Sequence, residues 1–202
     1  MKRLLLTSTG FTNPKLGDRF LALLEKDPLN TKVLFIPTAS RSGDEMKYVK
    51  ESENELVQLG IQKENIAWLD VGNVAAVGDI DSFDVIYVCG GNTFFLMQKL
   101  RDTELDKKII ELVNRGKVYV GVSAGSVIAG PDVSIANPFD ENDIGLKDMS
   151  GLNLTNKVVT PHYNDKEESI IGEFKKKLPY PVVPITDSQA VEEIGDNSTI
   201  VE

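Results

Sequence analysis

The chain has 202 residues, 41% hydrophobic and 26% charged, an ordinary globular composition with enough length to bury a substantial core. Its formal net charge of -9 argues against nucleic acid or an anionic membrane surface as a partner, since both are recognised by clustered lysine and arginine. Cys89 is the only cysteine, so no internal disulfide can form, which suits a reducing cytoplasm. The opening Met1-Lys2-Arg3-Leu4-Leu5-Leu6 imitates a signal peptide, but its apolar run stops at Thr7-Ser8-Thr9-Gly10. Arg3 to Thr7 reads instead as a first strand. No run approaches the roughly 20 apolar residues that a membrane helix needs.

Pro14 to Leu24 predicts a helix, with Asn13 as its cap and proline at its first position. Lys32 to Ile36 is a short strand stopped by Pro37. Asp44 to Leu59 has helical spacing and ends at Gly60, and Ile66 to Leu69 is a weak strand. Val85-Ile86-Tyr87-Val88 is continuously apolar, as expected of a strand buried on both faces. Thr93 to Leu100 and Leu105 to Arg115 read as helices, and Lys117 to Val120 as a strand. Ala124 to Ala129 predicts a short helix closed by Gly130-Pro131. Asp132 to Ser150 is rich in Asp, Asn, Gly and Pro without periodicity, and reads as a surface excursion. Val158-Val159 is a strand, Lys166 to Leu178 an amphipathic helix, and Val182 to Ile185 another strand. Gln189 to Ile194 and Thr199 to Val201 form a hairpin turning at Asp196-Asn197. Repeats and linkers are absent.

This alternation predicts an α/β fold: one domain over residues 1–202, with a single doubly wound, mostly parallel sheet and helices on both faces. Ligand sites in such sheets lie beyond the carboxyl ends of the strands. The informative loops therefore follow Val88, Val122 and Val159.

Gly121-Val122-Ser123-Ala124-Gly125 follows an apolar strand and precedes small residues, the context in which G-x-S-x-G holds a serine hydroxyl on a sharp strand-to-helix turn. Ser123 is the candidate nucleophile. Cys89-Gly90-Gly91-Asn92-Thr93 follows another strand, where two glycines let backbone approach a ligand and a helix start offers free N–H groups. The Gly91 and Ala124 amides are the candidate oxyanion hole, with Gly90, Asn92 and Thr93 as substrate-binding positions. His162, in Thr160-Pro161-His162-Tyr163, is the only imidazole and so the only histidine base available to Ser123. A third group should orient that imidazole, and Asp140, Asp143 and Asp187 are all available. Cys89, at an apolar strand end, reads as inert. One histidine and one cysteine far apart make no zinc pattern, no phosphate loop or dinucleotide fingerprint occurs, and neither metal nor cofactor is expected.

Taken together, Gly90-Gly91-Asn92-Thr93-Phe94, Gly121-Val122-Ser123-Ala124-Gly125-Ser126 and Pro161-His162-Tyr163 resemble the peptidase E family of aspartyl dipeptidases, related to cyanophycinase. The similarity extends from the first strand to Asp187. It implies a class I glutamine amidotransferase-like, flavodoxin-like fold with serine at the elbow. It also implies a cytoplasmic serine peptidase that cleaves short peptides through an acyl-enzyme on Ser123, with His162 as base. The family carries an Asp in the loop after the elbow helix. Counting back from the histidine puts this at Asp140, whereas counting forward from the serine reaches Pro138. A family Glu after a late strand is matched by Asp187. Asp140 is placed first as third member and Asp187 second. The family's arginine after the histidine motif, which favours Asp-X dipeptides, has no counterpart in Tyr163 to Ser169, where Lys166 is the only cation, so Asp-X preference stays open. Relatives are often dimers, so a homodimer is a possible assembly. A small esterase, and a non-catalytic small-molecule binding domain of the same fold, are the alternatives.

Overall fold

The computed structural model of the chain describes residues 1–69, 71 and 78–202. Seven strands form the central sheet. In chain order they are β1 (Arg3–Thr7), β2 (Val33–Ile36), β3 (Ile66–Trp68), β4 (Val85–Val88), β5 (Val118–Val122), then β8 (Ala190–Ile194) and β9 (Asn197–Val201). Their spatial order is β3-β2-β4-β5-β1-β8-β9. The five from β3 to β1 are parallel; β8 and β9 add an antiparallel hairpin at one edge. The expected mostly parallel sheet is therefore present.

Side chains alternate across the strands, so each buried strand feeds two cores. Leu4, Leu6, Ile86, Val88 and Tyr119 pack on one face, joined by Leu96 and Leu100 of α3 (Thr93–Asp102) and Ile109 and Leu112 of α4 (Leu105–Asn114). Leu5, Val85, Tyr87, Val118 and Val120 pack on the other. There they meet Leu16 and Phe20 of α1 (Pro14–Leu23) and Val49 and Leu56 of α2 (Glu45–Gln58). This two-sided burial explains why β4 and β5 read as unbroken apolar runs.

Three details depart from the sequence-based expectation. First, β6 (Val158–Thr160) and β7 (Val182–Pro184) pair with each other in parallel and form a separate two-stranded sheet. The connection between them holds α6 (Glu168–Lys177), preceded by a 3-10 turn at Asp165–Glu167. Second, the hairpin turns at Gly195-Asp196, and β9 begins at Asn197. Gly195 takes φ +61°, which a two-residue hairpin turn needs and glycine adopts without strain. Third, the excursion from Asp132 to Ser150 is anchored. An isolated bridge pairs those two residues, Arg101 donates to the carbonyls of Asp148 and Ser150, and Val133, Ile135 and Leu146 are buried. Among the described residues, no helix is long and apolar enough to cross a membrane.

Candidate active site

Ser123 follows β5 at the carboxyl rim, between β4 and β1. Its backbone has φ 49° and ψ −111°, a combination that non-glycine residues rarely adopt. The turn is possible because its surroundings are small. A Cβ on Gly121 would lie 2.5 Å from the Gly125 carbonyl oxygen, and one on Gly125 would lie 2.3 Å from that of Val88. Ser123 N–H donates to the Thr7 carbonyl (3.1 Å). The buried Ser126 hydroxyl sits 2.7 Å from Thr7 O and 2.8 Å from Gly121 O, and Tyr119 donates to Gly125 O at 2.7 Å. These bonds pin α5 (Ala124–Ile128) against the strand ends.

His162 reaches the same rim from β6 and also has positive φ, 59°. Its Nε2 lies 3.0 Å from Ser123 Oγ, and its Nδ1 lies 2.8 Å from Asp187 Oδ1. Asp187 comes from the turn after β7. Because a carboxylate only accepts, the contact puts the imidazole proton on Nδ1 and leaves the Nε2 lone pair facing the serine hydroxyl. Burial raises the Asp187 pKa, but hydrogen bonds from Ser8 and His162, with the histidine's charge, outweigh it and hold the carboxyl below its usual value.

Ser8, just after β1, ties this arrangement together. Its hydroxyl donates to Asp187 Oδ1 (2.8 Å) and accepts the His162 backbone N–H (2.7 Å). Sequence reading passed over Ser8 as part of the polar break after the first strand. The available signal was positional: β1 neighbours β5, so the loops after both strands open at one rim.

Asp140, expected first as the orienting acid, does not touch the imidazole. Its Oδ2 accepts the Thr93 N–H (2.8 Å) at the start of α3, where a carboxylate satisfies an unpaired helix amide and meets the positive end of the helix dipole. The carboxylate on the imidazole is Asp187. Asp143 pairs with Arg41 on the surface.

The Gly90-Gly91 turn lies beside the serine. Gly91 has φ 131°, and a Cβ there would sit 2.1 Å from Ala39 O. Neither Gly91 N–H nor Ala124 N–H has a hydrogen-bond partner among the described residues. The Asn92 side chain is committed: Oδ1 caps α3 through Phe95 N–H, and Nδ2 donates to Glu141 O. Two cavities meet at the Ser123–His162 pair. The larger, about 530 Å³, includes Gly90 and Gly91; the smaller, about 110 Å³, includes Thr93 and Asp140. Cys89 borders the larger one, and burial pushes its thiol well above the ordinary value. Such a thiol is a poor nucleophile. Among the described residues, no group of three or more His, Cys, Asp or Glu could hold a metal ion.

Comparison with known proteins gives the class to which this fold and site belong: a peptidase of α/β architecture. The chain belongs to peptidase family S51, whose model matches residues 4–201. It is 35% identical over 200 residues to the uncharacterized peptidase Lmo0363 of Listeria monocytogenes, covering 95% of this chain and 94% of that protein. It is 30% identical over 170 residues to peptidase E of Nostoc, covering 81% of this chain and 66% of the relative. The crystal structure of a peptidase E candidate from Listeria monocytogenes EGD-e superimposes with a TM-score of 0.83 at 32% identity, covering 100% of this chain and 98% of the other.

Proposed function

We propose that this chain is a serine-type peptidase that cleaves short peptides through an acyl-enzyme. The observation that carries the reading is the continuous chain of contacts from Ser123 Oγ to His162 Nε2 and from His162 Nδ1 to Asp187. In this scheme Ser123 Oγ attacks the peptide carbonyl carbon while its proton passes to Nε2. Asp187, kept ionised, stabilises the imidazolium. The carbonyl oxygen becomes an oxyanion and accepts from the Gly91 and Ala124 N–H groups, whose lack of other partners supports that role. Losing one such donor typically costs about 3 kcal/mol of transition-state stabilisation. As the C–N bond breaks, Nε2 returns the proton to the leaving amine. Water then attacks the ester by the same route, releasing the acid and restoring Ser123. The larger cavity has a ligand-sized volume, which supports short peptides as substrates.

A fluorophosphonate probe tests the nucleophile directly. It should label Ser123 in the wild type and leave Ser123→Ala unlabelled. Ser123→Ala and His162→Ala should each lose at least about 10³-fold in kcat on short peptides while keeping the wild-type circular dichroism spectrum. Dipeptides should be better substrates than short-chain esters of matched size. Near-normal turnover by either alanine variant would remove that residue from the mechanism.

A further inference from the structure

The two amides offered to the oxyanion are supported unequally. Ala124 N–H opens α5, which the Ser126 and Tyr119 hydroxyls pin against the strand ends. Gly91 belongs to a pair of glycines, has no side chain to anchor it, and holds φ 131°, a conformation that other residues rarely adopt. The loop between β2 and α2 supplies the missing support. A Cβ on Gly91 would lie 2.1 Å from Ala39 O and 2.6 Å from Ser40 N, so the two backbones pack directly against each other. On one side of Gly91, Asn92 N–H donates to Ala39 O (2.9 Å). On the other, the Ser40 hydroxyl donates to Gly90 O (2.8 Å).

The Ser40 bond bears on the donor itself. Gly90 C=O and Gly91 N–H are the two ends of one planar peptide unit, and none of the described peptide bonds is cis. In a trans unit the carbonyl and the N–H point in opposite directions. Holding Gly90 O on the Ser40 hydroxyl therefore sets the direction of Gly91 N–H, which has no partner among the described residues. The same bond polarises the amide and strengthens its N–H as a donor. Ser40, Gly90 and Gly91 all line the larger cavity, together with Ser123 and His162. An oxyanion donor works by being aimed, before reaction, at the place where charge develops.

We propose that Ser40 is a positioning residue for the reaction: its hydroxyl, acting through the Gly90 carbonyl, aims the Gly91 N–H at the oxyanion. The proposal rests on the peptidase reading above. Outright loss of an oxyanion donor costs about 10²- to 10³-fold in kcat, and a donor that is loosened but present costs less, about tenfold. Because Ser40 also faces the cavity, a direct substrate contact is the competing role. Positioning shows in kcat, whereas a contact made equally to substrate and transition state shows in KM.

The test compares wild type, Ser40→Ala and Ser40→Thr in two assays. One is hydrolysis of Ala-Ala across pH. The other is the second-order rate of fluorophosphonate labelling, in which Ser123 Oγ bonds to phosphorus, fluoride leaves, the serine proton passes to His162 Nε2 and the phosphoryl oxygen accepts from Gly91 and Ala124. Ser40→Ala should lower kcat about tenfold, leave KM within about twofold and slow labelling by the same factor as kcat. The acid limb of its pH profile should not move, since the His162–Asp187 contact is untouched. Ser40→Thr keeps the hydroxyl and should stay within about threefold of wild type. An unchanged kcat and labelling rate in Ser40→Ala, a loss confined to KM, or a threonine variant as slow as alanine overturns the proposal. Wild type that is labelled while Ser40→Ala is unimpaired sinks only the positioning role. Wild type that neither labels nor turns over sinks the peptidase reading and this role with it.

Discussion

Ser123 and His162 both hold positive φ, at 49° and 59°, yet the molecule fixes them by different means. The serine sits on the central sheet, and its conformation is imposed by close backbone packing: two glycines without room for a Cβ, and the buried hydroxyls of Ser126 and Tyr119. The histidine follows the separate two-stranded sheet, and its place is set by the hydrogen bonds it donates to the side chains of Ser8 and Asp187. One half of the pair is therefore locked by sterics and the other by polar contacts. The first kind of restraint breaks in stability, the second in rate.

The largest effect should follow from attacking the packed half. Gly125→Ala pushes a methyl to 2.3 Å from the Val88 carbonyl, and Gly121→Ala pushes one to 2.5 Å from the Gly125 carbonyl. Neither clashing oxygen is the end of a flexible side chain, so relief requires the start of α5 to move away from β4 in the first case and from β5 in the second. Each substitution should cost about 3 kcal/mol or more, read as a lowered denaturation midpoint, and should abolish probe labelling. A stable, labelled Gly125→Ala protein would mean that the elbow tolerates a backbone shift, and the contrast between the two halves would disappear.

The polar half should fail differently. Asp187→Ala removes the carboxylate bonded to the imidazole and should lower kcat about 10³-fold. Because Asp187 is partly exposed, its stability change should stay within about 1 kcal/mol. Ser8→Ala loses the acceptor for the His162 N–H and a donor to Asp187, and its rate loss should fall between those of wild type and Asp187→Ala. Asp140→Ala, by contrast, removes a helix-start partner. It should cost about 1 kcal/mol of stability and far less rate than Asp187→Ala. Parallel measurements of kcat and melting temperature decide it; a larger rate loss in the Asp140 variant would return Asp140 to the mechanism.

The same contrast explains what could be read from the chain. β1, β4 and α5 were legible because each is a buried apolar run or small-residue stretch bounded by glycine, a pattern that local chemistry largely determines. Ser123 and His162 followed from strand ends and from there being only one imidazole. Sequence reading ranks the acid of the triad the other way round, Asp140 ahead of Asp187, because both lie in polar loops and only tertiary pairing decides which meets the ring. That pairing depends on β6 and β7 leaving the main sheet and placing Thr160 and Ile185 side by side, so that Ile185 N–H donates to Thr160 O and Tyr163 N–H to Ile185 O. Their short apolar runs look the same whether they join a large sheet or form their own. Ser8 was missed for a related reason: a hydroxyl in a turn shows its partner only after the strands are ordered.

The smallest predicted effect isolates the strain itself. At φ 49° and ψ −111°, Ser123 lies in a region that glycine enters at little cost and alanine does not. Ser123→Gly and Ser123→Ala both remove the hydroxyl and its contact with His162, so the two variants lose the same chemistry. They differ in the Cβ. Ser123→Gly should therefore be more stable than Ser123→Ala by about 1 kcal/mol at the folded elbow, less what glycine gives to the unfolded chain through its greater freedom. Equal melting temperatures would mean that the unfolded-state term cancels the relief, and a less stable glycine variant would mean that the strain stored in the turn is smaller than that term. A glycine variant more stable than wild type as well would show that the elbow keeps its serine exposed at the expense of folding stability.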